Sequence, residues 1–430
     1  MSTFFLRRRP ETSARPVFLL LFATLVAAAG NGISIIAFPW LVLQRNGSAL
    51  EASIVAGAAS LPLLFSTLLA GTAVDFFGRK RISIISDVMS GLTVVAVPVV
   101  ALMFGASAVN VVVLAALAAL GALFDPAGMT ARESMLPEAA GHAGWTLDRT
   151  NGLYEATFNV AYLAGPGIGG LLIATIGGIE TMWVTAATFV LSIVAVAVVR
   201  LDGAGPPTEQ DRPDGMWSGM TEGLKFVWNL KVLRTLALID LAMNGLYLPM
   251  EGVLFPKYFA DRNEPAQLGM ALVAMSVGGL VGALAYPLVI RHLSRRTTLL
   301  VATLTLGAAT AVIALLPPTA VILALCALIG LVYGPIAPIY NYVMQTKSPP
   351  QLRGRVVGVM TSLAYAAGPL GFMLAGPLAD AFGLPVTFLA LAVPMIAIGL
   401  VAVRLRSLYE LDAPSTPPGG LAPSPGHPQT

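Results

Sequence analysis

The chain is poor in the residues that carry out covalent and metal chemistry. It has one cysteine, Cys326, and three histidines, His142, His292 and His427. One thiol cannot form an intrachain disulfide, and histidines scattered over connections and the tail at no metal-ligand spacing read as solvated surface residues. Cys326 reads as a packing residue. No nucleophile–base pair and no phosphate-binding loop is visible, which argues against an enzyme, and no cofactor is implied. Charge is scarce as well. Asp, Glu, Lys and Arg make up 11% of the chain, against about 25% in a soluble domain. A net charge of +3, with no basic stripe interleaved with aromatics, argues against nucleic acid as a partner.

What is present is apolar. Hydrophobic residues are 56% of the chain and mean hydropathy is +0.80. A hydrocarbon core about 30 Å thick takes roughly 20 apolar residues per helix. Such stretches fall near 17–43, 52–73, 82–104, 109–130, 150–176, 181–199, 235–256, 267–290, 298–316, 319–343, 355–379 and 384–403. The expected fold is therefore all-α and integral to a lipid bilayer, with twelve transmembrane helices. Arg7, Arg8 and Arg9 before an apolar run, with Ala27-Ala28-Ala29 further on, imitate a signal peptide. The run continues to Leu43, so it reads as the first helix.

Charge sets the orientation. Of the 25 Lys and Arg, the connections at one end of the spans hold only Arg45, Lys257 and Arg262. The positive-inside rule then puts both termini in the cytoplasm. The chain also repeats itself: Ala161-Tyr162-Leu163-Ala164-Gly165-Pro166 returns as Ala364-Tyr365-Ala366-Ala367-Gly368-Pro369, 203 residues later. These strings fall in spans five and eleven, so two six-helix halves are expected about a pseudo-twofold axis along the bilayer normal. The expected parts are a basic N-terminus (1–16), a first bundle (17–200), a linker (201–234), a second bundle (235–404) and a Pro/Gly/Ser-rich tail (405–430). Within the linker, Leu224, Val227, Trp228 and Leu233, with Lys225, Lys231 and Arg234, mark an amphipathic helix on the inner surface.

Ionisable groups within lipid cost at least roughly 2.5–3.5 kcal/mol each, which makes them functional candidates. Glu155 in span five and Asp240 and Glu251 in span seven have no cation at their depth. A desolvated carboxyl without a partner holds a proton more readily, which suits a group that gains and loses one in each cycle. Asn31, Asn244, Tyr247, Tyr340, Asn341 and Tyr365 are candidates to line a cavity with apolar walls. The loop Gly71-Thr72-Ala73-Val74-Asp75-Phe76-Phe77-Gly78-Arg79-Lys80-Arg81 lies between spans two and three. Its glycines permit a tight turn, and Asp75 suits a neighbouring helix N-terminus. Arg79 and Lys80 are expected to pair with Asp87 and Asp125, locking the halves together on the inside.

That loop resembles the G-x-x-x-D-[RK]-x-G-[RK]-[RK] pattern of the major facilitator superfamily, with Phe76 where a cation is usual. Gly165-Pro166-Gly167-Ile168-Gly169-Gly170 resembles the antiporter motif of its drug exporters, with Ala161 in place of an earlier glycine. Long strings from Asn31 to Gln44, Phe124 to Glu138 and Leu352 to Pro369 resemble the drug:proton antiporter branch that includes macrolide and enterobactin exporters. The resemblance covers about residues 15–412. It implies a monomeric, proton-driven exporter of small-molecule drugs in the bacterial inner membrane, with tetracycline- and aminoglycoside-type substrates. Asn31 stands where several such exporters carry an acid, and span four lacks the arginine many antiporters place there, so their coupling chemistry does not transfer. A siderophore or other metabolite exporter on the same fold, or a non-transporting membrane receptor, are the alternative readings.

Overall fold

The computed structural model describes residues 13–201, 216–349 and 352–412. The first bundle is made of α1 (Arg15–Asn46), α2 (Ala49–Phe77), α3 (Arg79–Phe104), α4 (Val111–Ala143), α5 (Leu147–Ile176) and α6 (Gly178–Val198). A shorter helix, α7 (Met216–Asn229), precedes α8 (Lys231–Pro249), which runs through a π-helical turn at Met250–Leu254 into α9 (Phe255–Ala260). Then come α10 (Pro265–His292), α11 (Arg295–Ile313), α12 (Thr319–Tyr333), α13 (Ile336–Lys347), α14 (Arg353–Ala366) and α15 (Gly368–Arg404). No strand occurs among the described residues.

Local signals fix the ends. Gly47 closes α1 in the left-handed region (φ 68°) and returns its N–H to the Leu43 carbonyl. Ser48, one residue on, opens α2 by accepting the Glu51 N–H. Thr146 and Ser294 open α5 and α11 in the same way. Two ends of the bundle follow: the Ser48 end, where α1 passes into α2, and the Gly78 end, where α2 turns into α3.

Ten helices among the described residues are long and apolar enough to cross a membrane. The sequence pattern gives twelve stretches. Of the other two, one is α5, counted only over its second half, Ala164–Ile176. Val356–Arg404 counts as one stretch of 49 residues, although Gly383 within α15 leaves helical geometry at φ 78° and ψ 169°. Expected spans seven, ten and eleven are also interrupted, by the π turn, by Gly334-Pro335 and by Ala367, with Gly368-Pro369 opening the next helix. Proline cannot donate to the preceding turn and bends a helix.

Helix packing carries the duplication into three dimensions. In the first bundle α2 lies on α4, α1 on α5 and α3 on α6; in the second α10 lies on α12, α8 on α15 and α11 on α15. The first arm of α15 meets α8, since a Cβ on Gly371 would crowd Pro249 at 2.7 Å. Its second arm meets α11, where a Cβ on Gly399 would approach Leu304 at 2.5 Å. The bundles touch along α2–α15 and α5–α10, the two pairings a twofold would exchange. The amphipathic helix of the linker is present as α7. Val227 is buried against the second bundle, while Leu224 and Trp228, one turn apart, are 41% and 49% exposed.

Candidate functional site

The polar groups gather in three places: a stripe in the second bundle, a charged core in the first, and the seams between them. The stripe lies on the stretch from Lys231 to Ala260. Asp240, Asn244, Tyr247 and Glu251 follow one another at steps of four, three and four residues, which puts all of them on one face of a helix. Asn244 donates its amide to the Asp240 carboxylate and to the Asp240 carbonyl, each at 3.0 Å. The Tyr247 hydroxyl lies beside the Glu251 carboxyl, and its ring stacks on Tyr333 at 6.2 Å with an interplanar angle of 5°. Tyr333, Tyr340 and Tyr365 are near enough to Asp240 to interact electrostatically, and Tyr365 is also near Glu251. Glu251 sits in the π-helical turn, an irregularity frequent at functional sites.

The structure thus brings together Asp240, Asn244, Tyr247, Glu251, Tyr340 and Tyr365. Asp240 and Glu251 take part in no ion pair among the described residues. Their neighbours are neutral hydrogen-bonding groups, where the sequence suggested none. Asn31 is half-buried on α1 and Asn341 is exposed on α13; neither joins the stripe's hydrogen bonds. The side chain of Glu155 lies outside the described residues. Tyr333, the stacking partner, was missed by the sequence reading, although its offset of seven from Tyr340 on adjoining helices offered a clue.

The core of the first bundle departs from expectation. Asp87 does not pair with the Gly78 loop. Its carboxylate accepts Arg132 Nη1 at 2.9 and 3.0 Å and the Ser192 hydroxyl at 2.6 Å. All three side chains are buried, so helices α3, α4 and α6 are tied by one charged group. Asp125 takes the Ser90 hydroxyl instead of a loop cation. Lys80 turns to the end of α6 and donates to the carbonyls of Ala197 and Val199 at 2.8 and 2.7 Å. Orphan carbonyls at a helix C-terminus attract a cation, and they lie closer to Lys80 than the acids one to two turns deeper. Arg296 repeats the device in the second bundle, donating to the Val403 carbonyl at 2.6 Å. The side chain of Asp75 lies outside the described residues. Arg132 lies beyond the apolar stretch 109–130, whereas α4 continues past it to Ala143. The seven-residue step from Asp125 to Arg132, two turns on one face, was the available signal.

Among the described residues, the closest glycine contacts of the seams lie toward the Ser48 end. On α5, a Cβ at Gly165 would stand 2.8 Å from Gly32 Cα, and one at Gly169 would stand 3.2 Å from Ile33 Cα, both on α1. A Cβ at Gly170 would stand 2.6 Å from the Pro265 carbonyl and 2.8 Å from Gly269 Cα on α10. The glycine run therefore serves two faces, one within its bundle and one across the seam, and Pro166 lies between them. On the other seam, a Cβ at Gly376 would stand 2.6 Å from Ser53 Cβ. The three cations at this end are each engaged: Arg45 with the Ser107 and Val109 carbonyls, Lys257 with Asp261, and Arg262 over the Tyr258 ring at 3.7 Å.

A bundle of apolar helices in two repeated halves, with a polar stripe in the second half and glycine seams between the two, is a transporter's architecture. The profile described as Major Facilitator Superfamily matches residues 20–372. The chain belongs to that superfamily: it is a multi-pass membrane transporter and not an enzyme. It is 65% identical over 407 residues to the multidrug efflux pump Tap of Mycolicibacterium fortuitum, covering 95% of this chain and 100% of that one. The Tap pump of Mycobacterium tuberculosis is likewise 65% identical, over 92% of this chain and 95% of that one. The enterobactin exporter EntS of Escherichia coli is 24% identical over 85% of this chain and 84% of its own. Among solved structures, the nucleoside transporter NupG superposes with a TM-score of 0.73 at 11% identity, over 92% of this chain and 99% of that one. At that identity the likeness speaks for the fold alone.

Proposed function

We propose that the chain is a proton-coupled multidrug exporter of the bacterial inner membrane, with the Gly78 end and both termini in the cytoplasm. The observation that carries efflux is the 65% identity to multidrug efflux pumps along essentially the whole chain. The 24% identity to an enterobactin exporter makes siderophore export the weaker reading. The scarcity of Lys and Arg at the Ser48 end supports the orientation. Tight seams at that end fit a transporter whose pathway faces the cytoplasm.

The stripe supports proton coupling. Asp240 and Glu251 sit among tyrosines and an asparagine, groups that hydrogen-bond a carboxyl in either protonation state. With no fixed cation paired to them, the same carboxyls can hold a proton or a cationic drug, and one displaces the other. Glu155 is the third carboxyl in this proposal. Aromatic faces beside carboxylates also suit bulky organic cations, in keeping with tetracycline- and aminoglycoside-type substrates. A proton moving down 100 mV supplies about 2.3 kcal/mol, enough to bias exchange between inward and outward states.

The experiment is drug efflux from proteoliposomes with and without an imposed pH gradient. Gradient-dependent efflux that Asp240→Asn and Glu251→Gln abolish is the expected result. Efflux indifferent to the gradient would remove the coupling proposal, and extrusion of a siderophore in preference to drugs would favour the alternative.

A further inference from the structure

We propose that Asp380 is a latch that holds the Ser48 end of the transporter shut. Asp380 lies on the first arm of α15, in the second bundle, and its carboxylate is seated on the N-terminus of α2, in the first. Its Oδ1 accepts the Ala49 N–H at 2.8 Å, and its Oδ2 accepts the Leu50 N–H and the Ser48 hydroxyl, both at 2.9 Å. The first N–H groups of a helix have no partner within the helix, and the positive end of the dipole favours an anion. Here the anion comes from the opposite half of the molecule. Every one of these bonds must break when α2 and α15 part.

The surrounding contacts define what the latch holds. Below Asp380 the two helices close on Gly376, where any side chain would run into Ser53 and the Ala49 carbonyl. Ser53 is 3% exposed and its hydroxyl has no hydrogen-bond partner among the described residues, so the seam buries a polar group that gains water only on opening. Gly57 meets Phe372 one turn further in. Among the described residues, the second seam shows no such clasp. At the start of α10 the N-cap residue is Glu264, which makes no side-chain capping bond, and α5 ends there in Gly177. One carboxylate on one seam therefore carries the charged closure of this end. The latch acts whichever compounds are moved and whatever drives them.

The test uses the full-length transporter in membrane vesicles. Cys326, the only native thiol, is replaced by alanine, and Ser53→Cys serves as reporter of the seam. Maleimide labelling of that cysteine is slow while the seam is closed. Asp380→Asn exchanges charge-assisted hydrogen bonds for neutral ones, and labelling is expected to accelerate about tenfold. Ser48→Ala removes one of the donors and is expected to accelerate it in the same direction by less, which keeps the test open if the Asp380 variant does not fold. Asp261→Asn alters an acid at the same end that is paired with Lys257, outside the seam, and should label at the parental rate. Parental labelling in both the Asp380 and Ser48 variants, or equal acceleration by Asp261→Asn, would overturn the latch. Neither outcome bears on proton coupling.

Discussion

Asp87 and Arg132 show how a buried charge in this chain is made tolerable. A lone ion among apolar helices is costly, but each here meets its partner and hydroxyl groups besides. Removing one member strands the other, a loss of about 3–5 kcal/mol in comparable buried pairs. Arg132→Met should therefore lower the thermal unfolding temperature in detergent sharply, and Asp87→Leu combined with Arg132→Met should recover much of the loss. A double variant as unstable as the single one would show that the pair does more than neutralise itself. Asp240 and Glu251 obey the opposite rule. Their partners are neutral, so Asp240→Asn should leave the fold and its unfolding temperature nearly unchanged while cutting gradient-driven drug efflux about a hundredfold or more, a typical size for a lost proton-transfer group. The sequence named these two acids because carboxyls in apolar runs stand out. It could not name Arg132 or Asp380, whose importance rests on what other helices bring to them.

At the scale of the element, glycine decides what α5 can touch. Gly165 and Gly169 admit α1, while Gly167 and Gly170 admit α10. Because Gly170 faces backbone and not a flexible side-chain tip, Gly170→Val has nowhere to put its methyls. Overpacking of this kind costs about 1–3 kcal/mol, and here it falls on a seam that must open and close. The expected result is a correctly inserted protein with little efflux and faster labelling of cysteines placed along α10 near Gly269. Gly383 sets the other element-level break. At φ 78° and ψ 169° it occupies a region open essentially to glycine alone, so Gly383→Ala should destabilise the protein by about 1–3 kcal/mol in a detergent unfolding assay. The G-P-x-x-G-G string was readable from sequence, but which glycine meets which neighbour was not, since helical phase alone does not reveal the partner.

At the scale of the molecule, the two bundles meet along two seams: a carboxylate clasps the α2–α15 seam, and close approach at Gly167 and Gly170 marks the α5–α10 seam. If a proton gradient supplies the driving force, an ionophore that collapses the pH difference should reduce efflux to the level of passive leak while binding of drug persists, measurable by fluorescence of a bound substrate. If both termini share the cation-rich side, protease added to sealed inside-out vesicles should remove tags from both ends and leave the connection between α1 and α2 intact. A tag protected at either end would reverse the proposed orientation.

Composition and periodicity by themselves determined that this chain is helical and lives in a bilayer, because runs of apolar residues at helix length have no other stable resting place. Its repeat announced two related halves, and its long strings announced a family. Tertiary structure alone decided the pairings. Lys80 went to a helix end and not to Asp87, Arg132 reached into the core, and a carboxylate from one half sat on a helix of the other. Such choices depend on distances between groups far apart in the chain, and a linear pattern does not carry them: it lists the charges and leaves the fold to choose their neighbours.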